Sequence, residues 1–163
     1  MSSPKIETLL QELLALLRTQ KFTVGFAESC TGGLLSATLT ALSGVSDVFK
    51  GSVVSYSNSV KIEVLGVEES VLAKEGAVSE EVARQMAQGT RKQLKVDVSV
   101  AITGIAGPTG GTPHKPIGTV CFALAGPWLA ESSIQKHFSG ERKEVQEQSV
   151  RFAVEYLISK LKV

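Results

Sequence analysis

The sequence predicts an α/β fold, a three-layer α/β/α sandwich built around a mixed, mostly parallel sheet. Over most of the chain, short apolar runs rich in β-forming residues alternate with segments of helical periodicity, a pattern typical of parallel strands covered by helices on both faces. Near the C-terminus two strand patterns follow one another without a helix between them, which makes the sheet mixed. The 163 residues contain no internal repeat, low-complexity tract or linker, so we expect one domain over residues 1–163.

Six segments have the periodicity, caps or stops of helices. The first has Ser3 as its cap and Pro4 in its first position, and its leucines recur at helical spacing. This helix packs on the sheet or on a second subunit, which leaves a homo-oligomer open. The other predicted helices are residues 34–42, 59–65 after an Asn58 cap, 69–74, a segment capped by Ser79 that runs to 94, and a last helix opened by Ser139-Gly140 that runs to 160.

Five apolar segments have the length and composition of strands. The last two are separated only by the turn signal Gly126-Pro127, and the final strand alternates as an edge strand does. The predicted strands are residues 22–27, 51–57, 96–103, 117–125 and 128–138.

The composition is that of a soluble protein without a polyanionic partner. Hydrophobic residues make up 43% of the chain and charged residues 20%, and the net charge of +1 gives no electrostatic signature for nucleic acid or an anionic membrane. The N-terminal segment is unlike a signal peptide, and no apolar run is long enough to span a bilayer. We therefore expect a cytoplasmic protein that binds neither nucleic acid nor membrane.

Polar residues gather where three predicted strands end. They are Glu28 to Gly33, then Tyr56-Ser57-Asn58 with Lys61, and finally Thr103 to Pro108. Ligands of α/β sheets bind at the carboxyl ends of the strands. If these strands are parallel, all three segments point into one site.

The first polar segment offers a nucleophile or an anion site. Ser29 and Thr31 supply hydroxyls at a helix entrance, and Gly32 and Gly33 let backbone N–H groups approach a phosphate or an oxyanion. The simpler interpretation is that one hydroxyl caps the helix. Cys30 is the rival nucleophile, although we expect it to face the core.

A serine nucleophile needs a base, and histidine is a poor candidate in this chain. His137 lies on the predicted edge strand and His114 in a long loop. Lys61 can replace histidine if burial lowers its pKa, and the Tyr56 phenol can hydrogen-bond the lysine or relay a proton. The alternatives are an exposed lysine and a packed strand tyrosine.

The third polar segment continues into a loop rich in glycine and proline up to Pro116. Gly104 and Gly107 give backbone access, and such a loop can form a nest of N–H donors around a phosphate. Thr103 adds a hydroxyl at the strand end. Arg142, at the start of the last helix, either clamps a phosphate or is a solvated helix residue.

Taken together, these segments resemble the CinA C-terminal domain family. The motifs are A-E-S-C-T-G-G at 27–33, G-S-V-V-S-Y-S-N-S-V-K at 51–61, L-G-V at 65–67, G-A-V-S-E-E-V-A at 76–83, T-G-I-A-G-P-T-G-G-T-P-H-K-P-I-G-T-V at 103–120 and S-G-E-R at 139–142. Active members of the family deamidate nicotinamide mononucleotide. The resemblance covers nearly the whole chain, in order, and we expect the family's stand-alone form. Ser43 and His114 depart from the pattern.

The resemblance implies a serine amidohydrolase that needs no metal and no cofactor. Ser29 attacks the carboxamide carbon, Lys61 is the general base, Tyr56 assists the proton transfer, and Thr103 positions substrate or base. Ammonia leaves, and water releases nicotinate mononucleotide from the acyl-enzyme. The implied substrate-binding residues are Thr31, Gly32, Gly33, Asn58, Gly104, Gly107 and Arg142.

Two other functions remain as alternatives. One is an inactive nucleotide-binding or regulatory module that kept the pocket and lost the chemistry. The other is an interaction protein, which the near-neutral charge does not support. The presence of both Ser29 and Lys61 favours the enzyme, because a pure binding protein has no need of a nucleophile together with its base.

Overall fold

The computed structural model describes residues 4–127 and 129–163. Within them the chain forms five strands, six α-helices and a short 3₁₀ turn, Val45–Asp47. The helices are α1 (Ile6–Gln20), α2 (Leu34–Thr40), α3 (Asn58–Glu63), α4 (Glu69–Glu75), α5 (Glu80–Leu94) and α6 (Arg142–Leu161). The strands are β1 (Val24–Glu28), β2 (Phe49–Val54), β3 (Val98–Gly104), β4 (Thr119–Gly126) and β5 (Leu129–His137).

The five strands form one mixed sheet in the order β2-β1-β3-β4-β5. β1 pairs in parallel with both β2 and β3, whereas β4 is antiparallel to β3 and to β5. Only β4 therefore runs against the other four strands, and the predicted mixed sheet is confirmed. The carboxyl ends of β1, β2 and β3 consequently lie at the same edge.

Helices cover both faces of the sheet, which confirms the three layers. On one face, Phe26 and Ile102 belong to a core cluster with leucines of α1 and α2 and with apolar residues of α6. On the other, Ala27 and Ala101 pack with Val82 and other residues of α5. The small side chains on this second face suit the close approach of α5 to β1, β3 and β4.

Several helix starts differ from the prediction by one or two residues. α1 has Lys5 as its N-cap, so Pro4 precedes the cap instead of opening the helix, and Ser3 lies outside the described residues. α3 is capped by Ser57, whose hydroxyl accepts from the Val60 amide at 3.2 Å. The predicted cap Asn58 is the first residue of that helix, and Lys61 is consequently its fourth.

Other boundaries follow from local hydrogen bonds. The predicted Ser79 cap of α5 is confirmed, since its hydroxyl accepts from the Val82 amide at 3.2 Å. α6 begins later than Ser139-Gly140 because Glu141 caps it in a capping box with Glu144. β2 ends at Val54, three residues before its predicted end at residue 57. Trp128, the predicted start of the last strand, lies outside the described residues. Among residues 4–127 and 129–163, no helix has the length and apolarity to cross a membrane.

Candidate active site

A cavity of about 300 Å³ opens at the carboxyl edge of β1, β2 and β3. Its size is at the lower end of the range of small-molecule sites. The three polar segments predicted from the sequence meet here, together with the first residue of α6. The described residues that line it are Ser29, Cys30, Tyr56, Asn58, Lys61, Ala77, Val78, Thr103, Gly104, Ile105, Ala106, Gly107, Thr109, Gly110 and Arg142.

The backbone holds Ser29 from both sides, directly beyond β1. Its amide donates to the Ile102 carbonyl of β3 at 3.0 Å, and its carbonyl accepts from the Gly32 amide at 3.0 Å. Gly32 and Gly33 have φ of 57° and 102°, a left-handed conformation that glycine adopts without strain. These glycines turn the chain from β1 into α2. They are not among the described lining residues, and the Gly32 amide is already used within the turn.

Lys61 projects from α3 into the inner end of the cavity and is only 1% exposed. Its Nζ lies 3.1 Å from Ser29 Oγ, 2.8 Å from the Ser55 carbonyl oxygen and 3.4 Å from the Tyr56 carbonyl oxygen. Desolvation by this burial lowers the pKa of Lys61. The structure thus brings together the two residues that the sequence suggested as nucleophile and base.

The partners of the Lys61 amine are compatible with its neutral form. A neutral amine has two N–H donors and one lone pair, and a carbonyl oxygen can only accept. If the Ser55 and Tyr56 carbonyls take the two N–H groups, the lone pair faces the Ser29 hydroxyl. This arrangement allows Lys61 to accept the serine proton.

Cys30 lies in the wall of the core, as expected. It belongs to the cluster formed with α1, α2 and α6, and burial raises the pKa of its thiol to about 12. A thiol with that pKa stays protonated near neutral pH and is a poor nucleophile. Its burial and its raised pKa therefore make Cys30 a weaker candidate for the nucleophile than Ser29.

The mouth of the cavity is formed by Tyr56 and Arg142. One guanidinium nitrogen of Arg142 donates to the Tyr56 phenol oxygen at 3.1 Å and the other to the Gly107 carbonyl at 2.8 Å. The phenol therefore contacts Arg142 and not the lysine amine, to which Tyr56 offers only its backbone carbonyl. Arg142 and Lys61 are the basic residues among the described residues that line the cavity, and no acidic residue is among them, so the cavity suits an anionic ligand.

Thr103 ends β3 beside the cavity and is 1% exposed. Its hydroxyl donates to the Ala77 carbonyl at 2.8 Å, which ties the sheet to the segment before α5. Because its proton is used in this bond, the Thr103 hydroxyl can only accept a further hydrogen bond from a ligand. Of the residues suggested for substrate binding, Asn58, Gly104, Gly107 and Arg142 line the cavity.

The remaining hydroxyl of the first segment has a different role, which the sequence did not reveal. Thr31 donates to the carboxylate of Glu28 at 2.9 Å, and Glu28 is completely buried. The amides of Leu35 and Ser36 in α2 donate to the same carboxylate at 2.8 and 3.1 Å. These N-terminal amides of α2 are thus occupied by the protein itself and not offered to a ligand. A glutamate closing an otherwise apolar strand was the available signal.

Neither histidine belongs to the described lining of the cavity. His114 is exposed, and the ring of His137 hydrogen-bonds the Ile117 carbonyl at 3.0 Å. Ser43 and His114, the two residues that depart from the family pattern, are not among the described residues that line the cavity.

Comparison with known proteins gives consistent similarities. The family model of the CinA C-terminal domain matches residues 6–161. A CinA-like protein of Fervidobacterium nodosum is 49% identical over 142 residues, 87% of this chain and 35% of that protein. A CinA-like protein of Thermotoga neapolitana is 45% identical over 162 residues, 99% of this chain and 38% of that protein. The chain thus spans about a third of the length of these relatives.

Solved structures resemble the fold over its full extent. The crystal structure of a competence-damaged protein (CinA) superfamily protein from Enterobacter cloacae has a TM-score of 0.94 at 35% identity, covering 99% of this chain and 95% of that one. The competence/damage inducible protein CihA from Agrobacterium tumefaciens has a TM-score of 0.90 at 36% identity, covering 100% of both chains.

Proposed function

Because this chain belongs to the CinA C-terminal domain family, we propose that it is an amidohydrolase that converts nicotinamide mononucleotide to nicotinate mononucleotide and ammonia. The observation that carries the proposal is the 3.1 Å contact between Lys61 Nζ and Ser29 Oγ at the closed end of the cavity. A buried amine beside a serine hydroxyl is the arrangement that activates serine without histidine.

The reaction proceeds in two halves. Neutral Lys61 takes the hydroxyl proton while Ser29 Oγ attacks the carboxamide carbon, and the resulting ammonium returns the proton to the leaving nitrogen, which departs as ammonia. Lys61 then takes a proton from water as the water oxygen attacks the acyl carbon, and it returns that proton to Ser29 Oγ as the ester bond breaks. This step frees Ser29 and releases the acid, whose own proton is lost to solvent to give the carboxylate product. The burial that lowers the pKa of Lys61 favours the neutral amine that both halves need.

The mouth of the cavity supports a phosphate-bearing substrate. Arg142 presents a guanidinium at the exposed mouth of the cavity that holds the buried Ser29–Lys61 dyad, and guanidinium binds phosphate with paired hydrogen bonds. The two terminal guanidinium nitrogens contact the Tyr56 phenol and the Gly107 carbonyl. A phosphate bound here replaces or shares those contacts, so that the nucleotide spans the cavity with its carboxamide at Ser29.

The test is ammonia release from nicotinamide mononucleotide by the purified chain. We expect release by the unmodified protein and by Cys30→Ala, and none above background by Ser29→Ala. Cys30→Ala is the matched control because it removes the neighbouring nucleophile from the same turn. Thermal shift with the nucleotide shows whether Ser29→Ala still binds it.

Two outcomes would overturn the proposal. Full activity of Ser29→Ala would eliminate this mechanism and make Cys30 the next candidate. Absence of ammonia release from the unmodified protein, with a melting temperature still raised by the nucleotide, would indicate the inactive nucleotide-binding module instead.

A further inference from the structure

The buried carboxylate of Glu28 has more partners than a strand end needs. Besides the amides of Leu35 and Ser36 and the Thr31 hydroxyl, it accepts from the Ser36 hydroxyl at 2.5 Å and the Ser52 hydroxyl at 3.3 Å. Five donors from the turn after β1, from α2 and from β2 thus converge on one side chain that is 0% exposed. A buried carboxylate is tolerated only when its oxygens are satisfied in this way.

Glu28 also joins the two halves of the candidate site through its backbone. Its carbonyl accepts from the Ser55 amide at 2.9 Å, and the Ser55 carbonyl in turn accepts from Lys61 Nζ at 2.8 Å. Ser29 is the next residue in the chain. Through this carbonyl, and through its side-chain bonds to α2 and to Ser52 of β2, Glu28 ties the turn that carries Ser29 to the strand that precedes Lys61.

We propose that Glu28 is a positioning residue that sets the distance between Ser29 Oγ and Lys61 Nζ. It does not line the cavity, so it acts through the dyad and not on the substrate. The inference rests on the proposed function for its kinetic readout. Proton transfer between two side chains depends steeply on their separation, and a shift of about 1 Å can lower turnover about 100-fold.

A carboxylate is required here for a reason of donors and acceptors. The hydroxyls of Thr31, Ser36 and Ser52 can rotate to accept from an amide, but the backbone amides of Leu35 and Ser36 cannot. These two amides donate to different oxygens of the carboxylate. Glutamine has one oxygen and one NH₂ group, so in Glu28→Gln one of the two amides must face a donor. The first turn of α2 then moves, and Ser29 with it.

The experiment compares Glu28→Gln with Asp97→Asn, a matched change at the opposite edge of the sheet. The Asp97 carboxylate accepts from the amide and hydroxyl of Thr23, both at 2.8 Å, and so joins the starts of β1 and β3 far from the cavity. Both variants are expected to melt at a lower temperature. Below that temperature, and per folded molecule, Glu28→Gln lowers kcat about 10- to 100-fold with KM changed less than about threefold, whereas Asp97→Asn keeps both constants.

A milder variant covers the case in which Glu28→Gln does not fold. Ser36→Ala removes one hydroxyl donor and leaves the amide, and we expect kcat to fall about two- to tenfold. Its control is Thr40→Ala on the same helix, whose hydroxyl donates to the Ser36 carbonyl at 2.8 Å and which should leave kcat unchanged.

Failure of this inference is distinguishable from failure of the proposed function. Wild-type kcat in folded Glu28→Gln, or an equal loss in Asp97→Asn, overturns the positioning role while the amidase stands. If the unmodified protein releases no ammonia, the proposed function fails, and the rate of Ser29 labelling by a fluorophosphonate becomes the readout. Slower labelling in Glu28→Gln supports positioning, and equal labelling, including none in either protein, overturns it.

Discussion

The two ends of the cavity are held in place by different means. At the inner end Ser29 is 8% and Lys61 1% exposed, and each is fixed by backbone groups of neighbouring strands or of the segments that follow them. At the mouth Tyr56 is 61% exposed, and within residues 4–127 and 129–163 its phenol is held by one hydrogen bond, from Arg142. Topology therefore builds a buried inner end, whereas the side chains of Tyr56 and Arg142, with one bond to the Gly107 carbonyl, build the mouth.

This difference assigns separate tasks to the two ends. A dry environment shifts the pKa of an amine, which proton transfer needs. Exposed side chains held by a few hydrogen bonds can exchange those bonds for a ligand at small cost. Changes at the inner end should therefore lower kcat, and changes at the mouth should raise KM.

Replacement of the lysine should give the largest effect. Lys61→Met keeps much of the side-chain volume but removes the base, so kcat should fall about 10²- to 10⁴-fold. Lys74→Met on α4 is the control, since its side chain is 83% exposed, and it should match the unmodified protein. Steady-state ammonia release measures both. A comparable loss of activity in both variants would mean that the dyad is not the origin of the effect.

The pH dependence of kcat should reflect the ionisation of Lys61 at the inner end of the cavity. Burial lowers the pKa of Lys61 below its usual 10.5, and only the neutral amine accepts a proton, so activity should rise with pH through that lowered pKa. Below it, kcat at saturating nucleotide should change about tenfold per pH unit. An acid limb with its midpoint at or above 10.5, or no acid limb, contradicts a lysine that burial keeps in its neutral form.

Replacement of Arg142 should weaken substrate binding at the mouth of the cavity without slowing the chemical step. Arg142→Ala should raise KM for the mononucleotide about 10- to 100-fold, because charge-assisted hydrogen bonds to phosphate are lost, with kcat nearly unchanged. Lys143→Ala is the matched control, because Lys143 is the next residue of α6 and its Nζ lies 3.8 Å from Glu147 Oε1. Nicotinamide riboside sharpens the comparison, since it lacks the phosphate and should be turned over alike by both variants. Equal loss on both substrates would place Arg142 in the chemistry.

The smallest effect should come from the phenol. Tyr56→Phe removes the acceptor of one Arg142 hydrogen bond, so KM should rise about two- to tenfold while kcat is kept. The family resemblance instead gives Tyr56 a part in proton transfer. A tenfold or greater fall in kcat with constant KM would favour that role, and steady-state kinetics at several pH values separates the two.

The sequence predicted the meeting of three strand ends because that depends on local patterns. Short apolar runs that each end in polar residues become parallel strands, and parallel strands end at one edge, so Ser29, Lys61 and Thr103 were expected together. The burial of Lys61 was not predictable in the same way. It depends on the Ser57 cap, which starts α3 one residue before the predicted start and sets the direction of the fourth residue.

Contacts between segments that are far apart in the sequence could not be predicted from the sequence. Tyr56 meets Arg142 across 86 residues, and Ser52 reaches Glu28 across 24. Neither partner carries a local signal for the other. Thr31 and Glu28 show the same limit, since a hydroxyl at a helix entrance looks alike whether it serves a substrate or a buried carboxylate.

The most direct test of the central claim is to find the acyl group on the protein. The unmodified chain is mixed with nicotinamide mononucleotide, quenched in acid during turnover, digested and analysed by mass spectrometry. The account predicts a nicotinate-mononucleotide ester on Ser29, with Cys30 in the same peptide unmodified. An adduct on Cys30, or steady formation of product from a chain that is never modified, would contradict it.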